Sequence, residues 1–228
     1  VACRPVALAA HAARGPDALM QRPVDDAEQL SALLREPRLS AVLIGPALGL
    51  DATARDAVMA VLRSDVPCVL DADALTLLAA TGPRLPDLLG RRNGACVLTP
   101  HEGEFQRLFA EVAHIGEAAS KLVRAQRAAA HARAVVVLKG VDTVVAAPDG
   151  RAVINTTGDP ALATAGSGDV LGGAIAGLLA QGMPAFEAAC AAVWLHGKAG
   201  EALGRGLIAD DLPAALGRLA GERERDQT

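Results

Sequence analysis

Short runs of Val, Leu and Ile recur along the chain. Each ends in glycines, prolines or charged residues and is followed by a stretch with helical spacing. Ala41-Val42-Leu43-Ile44 leads into Gly45-Pro46-Ala47-Leu48-Gly49, and Val66-Pro67-Cys68-Val69-Leu70 into Asp71-Ala72-Asp73-Ala74. Ala95-Cys96-Val97-Leu98 leads into Thr99-Pro100-His101-Glu102-Gly103-Glu104, and Ala134-Val135-Val136-Val137-Leu138 into Lys139-Gly140. Continuous apolar runs without alternation are strands buried on both faces, as parallel sheets require. Between them, Ala27, Leu30, Leu33 and Leu34 recur beneath charges, and residues 52–62, 74–80 and 116–132 read as further helices. Residues 15–24 form a weakly patterned connector. Strand alternating with helix predicts an α/β fold, with ligands at the carboxyl ends of the strands.

Further on the pattern changes. Two short strands over 142–147 and 151–155 flank Pro148-Asp149-Gly150, a hairpin signature. Residues 168–181 and 184–203 are Ala-rich and apolar on most faces, so both helices are buried. A last amphipathic helix starts near Ile208, and residues 221–228 read as a charged tail with little reason to be ordered. The opening Val1-Ala2-Cys3-Arg4-Pro5 looks like the end of a strand already in progress, so a segment ahead of it is expected.

The stretch that organises the rest is Asn155 to Gly172. Its centre, Ala165-Gly166-Ser167-Gly168-Asp169, stands directly before a long apolar helix. The first amides of a helix lack internal acceptors and carry the positive end of its dipole, so a glycine-rich entry admits an anion, phosphate first of all. A carboxylate in that first turn, Asp169, is placed to act as a base or to orient a hydroxyl. The same five residues also fit an ordinary cap, with Ser167 as N-cap and Asp169 complementing the dipole. The polar, turn-rich stretch Asn155-Thr156-Thr157-Gly158-Asp159-Pro160 just upstream favours a site.

Composition narrows the partners. Of 228 residues 51% are apolar but only 2% aromatic, and the formal charge is −4. The core is therefore built from Ala, Val and Leu, and there is neither a stacking platform nor a basic face for nucleic acid. The longest apolar run, Val170 to Ala180, is too short to span a bilayer. Four scattered cysteines without C-x-x-C spacing suggest neither zinc nor a disulfide framework, and the chain reads as cytoplasmic.

Other residues at strand ends are candidates. Two carboxylates at a strand end can bind a metal or a sugar hydroxyl; Asp73 is expected to cap the helix that follows, and Asp71 is left open. His101 is as readily structural as functional. Lys139 is either a surface charge or a clamp on phosphate. His196, on an apolar helix, is expected to be a core histidine with its hydrogen bonds satisfied.

Taken in order, Leu43–Gly49, Leu70–Leu75, Leu98–Glu104, Val137–Gly140 and Ala165–Asp169 resemble the motifs of the ADP- or ATP-dependent NAD(P)H-hydrate dehydratases. The resemblance covers nearly the whole chain. It implies a three-layer ribokinase-like α/β sandwich, with a mostly parallel central sheet, helices on both faces and one dehydratase domain over residues 1–228. The activity it implies is removal of water from hydrated NADH or NADPH with consumption of ADP or ATP, accompanied by Mg²⁺. By the same resemblance Asp169 is the catalytic base and contacts the hydrate together with Gly49 and His101. Lys139, Gly140, Val141, Asp142 and Thr143, with Ala165, Gly166, Ser167 and Gly168, would bind the adenine nucleotide, and a homo-oligomer, a tetramer, is implied. Departures are Ala47 for the middle glycine of G-P-G-L-G and Asp159-Pro160-Ala161-Leu162 for N-P-G-M. The family's opening glycine-rich segment does not appear before Val1. Two other readings stand beside it: a ribokinase-like kinase for a small alcohol, and a catalytically silent nucleotide-binding module.

Overall fold

The computed structural model describes residues 1–15, 18–80, 85–110, 112, 115 and 120–225. In chain order the elements are β1 (Ala2–Cys3), α1 (Pro5–Arg14), β2 (Arg22–Pro23), α2 (Ala27–Leu34), β3 (Val42–Ile44), α3 (Ala52–Arg63), β4 (Cys68–Leu70) and α4 (Ala72–Ala79). They continue with α5 (Leu85–Leu89), β5 (Cys96–Leu98), α6 (Glu102–Leu108), α7 (Lys121–Ala132), β6 (Val135–Leu138), β7 (Val144–Ala146) and β8 (Ala152–Ile154). Helices α8 (Ser167–Ala180), α9 (Ala185–Leu203) and α10 (Leu212–Arg225) close the chain.

Strands β3 to β8 form one six-stranded sheet in sequence order. The β3–β4, β4–β5 and β5–β6 pairs are parallel, and β6–β7 and β7–β8 antiparallel. The hairpin at 148–150 thus turns the sheet antiparallel at one edge, while β1 and β2 pair parallel in a separate two-stranded sheet.

Alternation along the strands divides the core. Cys68, Leu70, Cys96, Leu98, Val136 and Leu138 face one layer, against helices that include α3, α4, α6 and α7. Val69, Val97, Val135, Val137 and Val145 face the other, against α8 and α9. Strands β4 to β7 are apolar and buried at every position because both their faces are covered. This is the layered sandwich expected from the sequence.

Several boundaries differ from the expected ones. Helix α4 begins at Ala72, not Ala74. The described part of the 116–132 helix starts at Lys121, and residues 116–119 lie outside the described residues. Where a charged tail was expected from residue 221, α10 runs on to Arg225, and residues 226–228 lie outside the described residues. No helix among the described residues is long and apolar enough to cross a membrane.

Candidate active site

Four loops converge where the parallel strands end. After β3 the chain turns through Gly45 at φ +130°, and a Cβ there would lie 1.7 Å from the Asp71 carbonyl oxygen. Only glycine permits this approach, which seats the β3 loop on the end of β4. The Asp71 amide donates to the Ile44 carbonyl at 3.1 Å, closing the contact.

Asp71 is only 1% exposed and is the N-cap of α4, with Oδ1 accepting from the Ala72 amide at 2.9 Å. The same oxygen accepts from Lys139 Nζ at 2.8 Å. The expectation that Asp73 caps this helix is therefore corrected. Because α4 begins at Ala72, Asp73 falls inside the first turn, and its Oδ2 accepts from the Gly49 amide at 2.8 Å. Gly49, expected to touch the hydrate, has its amide bound to Asp73. Ala47, in the same loop, takes a left-handed φ of 51°. A side chain in that region costs about 1–2 kcal/mol.

His101 ends the next loop as N-cap of α6. Its Nδ1 accepts from the Gly103 amide at 3.0 Å, and Glu104 Oε2 accepts from the His101 amide at 2.8 Å, a reciprocal capping box. An accepting Nδ1 puts the proton of the neutral ring on Nε2. The side chain is 56% exposed. Glu104 is buried, with Oε2 3.9 Å from Lys139 Nζ. Lys139, from the end of β6, thus faces carboxylates from the ends of β4 and β5.

Beyond Lys139 the chain makes a tight turn. The Gly140 amide donates to Thr143 Oγ1 at 3.2 Å, and that hydroxyl donates to the Gly140 carbonyl at 2.9 Å. Asp142 pairs with Lys121 at 2.7 Å, while the Val141 side chain is fully exposed. Of this expected nucleotide strip, only Lys139 points into the cluster.

Opposite it, α8 begins. Gly166, its N-cap, has φ +84° and provides no side-chain cap. Ser167 does not cap the helix either. It is buried, with its hydroxyl and its carbonyl oxygen each 3.1 Å from His196 Nε2 on α9. The Ser167 amide donates to the Thr164 carbonyl, and the next amide with an acceptor is that of Val170. The amides of Gly168 and Asp169 therefore find no acceptor among the described residues. A Cβ on Gly168 would stand 3.4 Å from Lys139 Nζ and 3.8 Å from Asp71 Oδ2, so this helix start adjoins the ion pair. Asp169 is exposed, and its carboxyl is held above the ordinary range. Partial burial is the main cause, the Asp71 charge adds to it, and Lys139 opposes both.

The polar loop before α8 lies on α9. Thr157 Oγ1 donates to the Asn155 side chain at 3.0 Å and the Trp194 carbonyl at 3.2 Å, and the Gly158 amide donates to Glu201 at 3.0 Å. Asp159 caps the short turn Pro160–Leu162 through the Ala161 amide at 2.8 Å, so aspartate fills the capping role open to asparagine. Leu162 packs onto Gly200, where a Cβ would stand 2.6 Å from its side chain. A cleft of about 510 Å³, lined by Asn155, Thr156, Cys190 and Trp194 among others, opens beside this loop.

His196 is a core histidine with its ring hydrogen-bonded, as expected, but its position under the start of α8 has no signal in the sequence. The meeting of Asp71 and Glu104 at Lys139 was not expected either. The available signal was a charged residue directly after two of the buried strands, Asp71 after β4 and Lys139 after β6. Among the described residues no three His, Cys, Asp or Glu side chains are grouped to hold a metal ion.

Bare amides at a glycine-opened helix, a lysine at its mouth and a carboxylate in its first turn, on a mostly parallel sheet covered on both faces, define a ribokinase-like protein. The family model described as NAD(P)H-hydrate dehydratase matches residues 1–218. The ADP-dependent (S)-NAD(P)H-hydrate dehydratase of Neisseria meningitidis is 42% identical over 193 residues, which are 83% of this chain and 62% of that protein. The bifunctional NAD(P)H-hydrate repair enzyme Nnr of Salinibacter ruber is 42% identical over 189 residues, 80% of this chain. A crystal structure of the Bacillus subtilis ADP/ATP-dependent NAD(P)H-hydrate dehydratase, co-crystallized with ATP/Mg²⁺, superposes with a TM-score of 0.74 at 34% identity, covering 89% of this chain and 71% of that one. The chain belongs to the NAD(P)H-hydrate dehydratase family. It spans 34% of the length of the Salinibacter enzyme, and less than two thirds of the Neisseria one.

Proposed function

We propose that the chain dehydrates (S)-NADH- or (S)-NADPH-hydrate back to the reduced nucleotide at the expense of ADP or ATP. The observation that carries this is the placement of the Asp169 carboxylate beside the two acceptor-free amides of α8 and within the field of Lys139. The amides and Lys139 receive the phosphates of the adenine nucleotide, and the Gly140–Thr143 turn and Ala165 flank it. Asp169 takes the proton from the hydroxyl of the hydrate as that oxygen attacks the terminal phosphorus. The P–O bond to the nucleotide breaks and the shortened nucleotide leaves. The phosphorylated oxygen then departs as phosphate, carrying the C–O electron pair, while the neighbouring carbon loses a proton and the ring double bond returns. Hydroxide is a poor leaving group and phosphate a good one, which is the reason for consuming a nucleotide.

The raised carboxyl of Asp169 suits a base that must be ionised yet basic near neutrality. Mg²⁺ fits this site as an ion carried on the nucleotide, where Asp71 Oδ2, 3.8 Å from the position a Gly168 Cβ would take, would supply a carboxylate and phosphates would complete the shell. When bound it neutralises phosphate charge. The His101 side chain is 56% exposed, with Nε2 3.5 Å from Glu104 Oε1, and Gly49 is exposed in its loop; in this reading both border the space left for the hydrate. Cytoplasmic placement and a homo-oligomer belong to the same reading and rest on the family alone.

The test is absorbance at the reduced-nicotinamide band, with hydrated NADH, Mg²⁺ and either ADP or ATP. A nucleotide-dependent rise is expected, and the nucleotide that gives it names the donor. Nucleotide binding without any rise would overturn the dehydratase reading in favour of a silent module. Release of a phosphorylated alcohol would favour a kinase.

A further inference from the structure

The acceptor-free amides of Gly168 and Asp169 are useful only if their peptide units are held in one orientation. Nothing at the helix start does this by capping: Gly166 has no side chain and Ser167 is turned inward. The contact that fixes the turn comes from α9. His196 Nε2 lies 3.1 Å from the Ser167 carbonyl oxygen, which can only accept, so Nε2 carries the proton and donates. The Ser167 hydroxyl at 3.1 Å shares the same donor. Burial lowers the His196 pKa, which favours the neutral ring with this one proton in place.

The peptide unit from the Ser167 carbonyl to the Gly168 amide is planar and trans. Pulling its oxygen toward α9 aims its N–H the opposite way, out of a helix start where a Cβ on Gly168 would stand 3.4 Å from Lys139 Nζ. We infer that His196 is a positioning residue that sets the Gly168 amide for the phosphate of the nucleotide, acting through the Ser167 carbonyl. The nature of the anion rests on the dehydratase reading. The link itself does not, since it depends only on the His196–Ser167 geometry. His196 touches no substrate. Its own helix, α9, also carries Gly197, where a Cβ would stand 2.1 Å from Thr157 Oγ1, so the segment that holds the turn also seats the loop before it.

The experiment compares His196→Gln with His196→Leu by calorimetric ADP titration and by the ¹⁵N-amide NMR resonance of Gly168. Glutamine can place an N–H donor near the position of Nε2, and leucine fills the space without one. Expected is an ADP affinity within about two-fold of the parent for glutamine and roughly ten-fold weaker for leucine, with the Gly168 resonance displaced only in leucine. A histidine that merely tethers two helices would lower the melting temperature without changing ADP affinity. A folded leucine variant with parental affinity therefore overturns the inference. Should leucine fail to fold, His196→Asn has a donor too short to reach Ser167 and is expected to show the same loss. Parental affinity in asparagine overturns the inference too. If the unsubstituted protein binds neither ADP nor ATP, the dehydratase reading falls and takes the nucleotide part of the inference with it.

Discussion

Replacing Lys139 with methionine removes the cation and keeps most of the side-chain volume. Asp71, 1% exposed, would be left with its helix-cap bond but no opposite charge at 2.8 Å, and Glu104 would lose a cation at 3.9 Å. Breaking a fully buried pair by removing one partner costs about 3–5 kcal/mol. Because the Lys139 side chain keeps 20% exposure, water recovers part of that, and a loss of about 2–3 kcal/mol is expected. For a chain of this length the corresponding fall in Tm is about 5–10 °C. Urea unfolding of Lys139→Met, Asp71→Asn and the double variant measures it. Asparagine still caps α4, so the double variant should recover at least half of the loss while nucleotide binding stays weak. Lys139 also lowers the Asp169 carboxyl, so removing it raises that carboxyl further and moves the acid limb of turnover to higher pH. A single variant within about 0.5 kcal/mol of the parent, or a double variant no better than the single, would refute the reasoning.

Two further substitutions separate chemistry from architecture. Asp169→Asn should cut turnover by about 10²- to 10⁴-fold with ADP affinity preserved in calorimetry; near-parental turnover would remove Asp169 as the base. Since folding raises that carboxyl, the native state loses stability as pH climbs through the raised value. The asparagine variant should accordingly melt higher than the parent at pH 7, and the difference should vanish below the ordinary carboxylate range. His101→Ala removes the α6 cap and should cost about 1 kcal/mol in urea unfolding. His101→Asn should restore stability; if KM for the hydrate stays raised in that variant, the imidazole itself touches substrate, and if KM returns with stability, the histidine acts only as a cap.

The sheet was legible because strands β4 to β7 are runs such as Val135–Leu138 with both faces covered, a pattern that amphipathic helices do not share. Asp169 and the glycine-opened helix were legible for a similar reason, since the signal is local to five residues. Side-chain partners across the strand ends were not. Asp71 and Lys139 are 68 positions apart, and only the parallel register brings them to 2.8 Å. The cap falls to Asp71 and not to Asp73 because α4 starts at Ala72, and the positive φ of 47° at that residue cannot be read from an alanine. Histidine is an uncommon N-cap, so His101 invited a ligand reading, and only the accepting Nδ1 reveals its structural use. His196 and Ser167, 29 positions apart, meet only once α8 and α9 pack together.

The near absence of aromatic residues has an optical consequence. Trp194 is the sole tryptophan and there is no tyrosine, so ultraviolet emission comes from one ring on α9. Its backbone carbonyl holds Thr157, and the ring lies 6.0 Å from Lys198 Nζ, beside the loop that leads into the glycine-opened helix. The chain thus carries its own fluorophore beside the cleft lined by Asn155 and Thr156, against an otherwise dark background. Reduced nicotinamide absorbs where tryptophan emits, so product formed within energy-transfer range would quench that emission as it appears, giving a label-free optical record of each turnover.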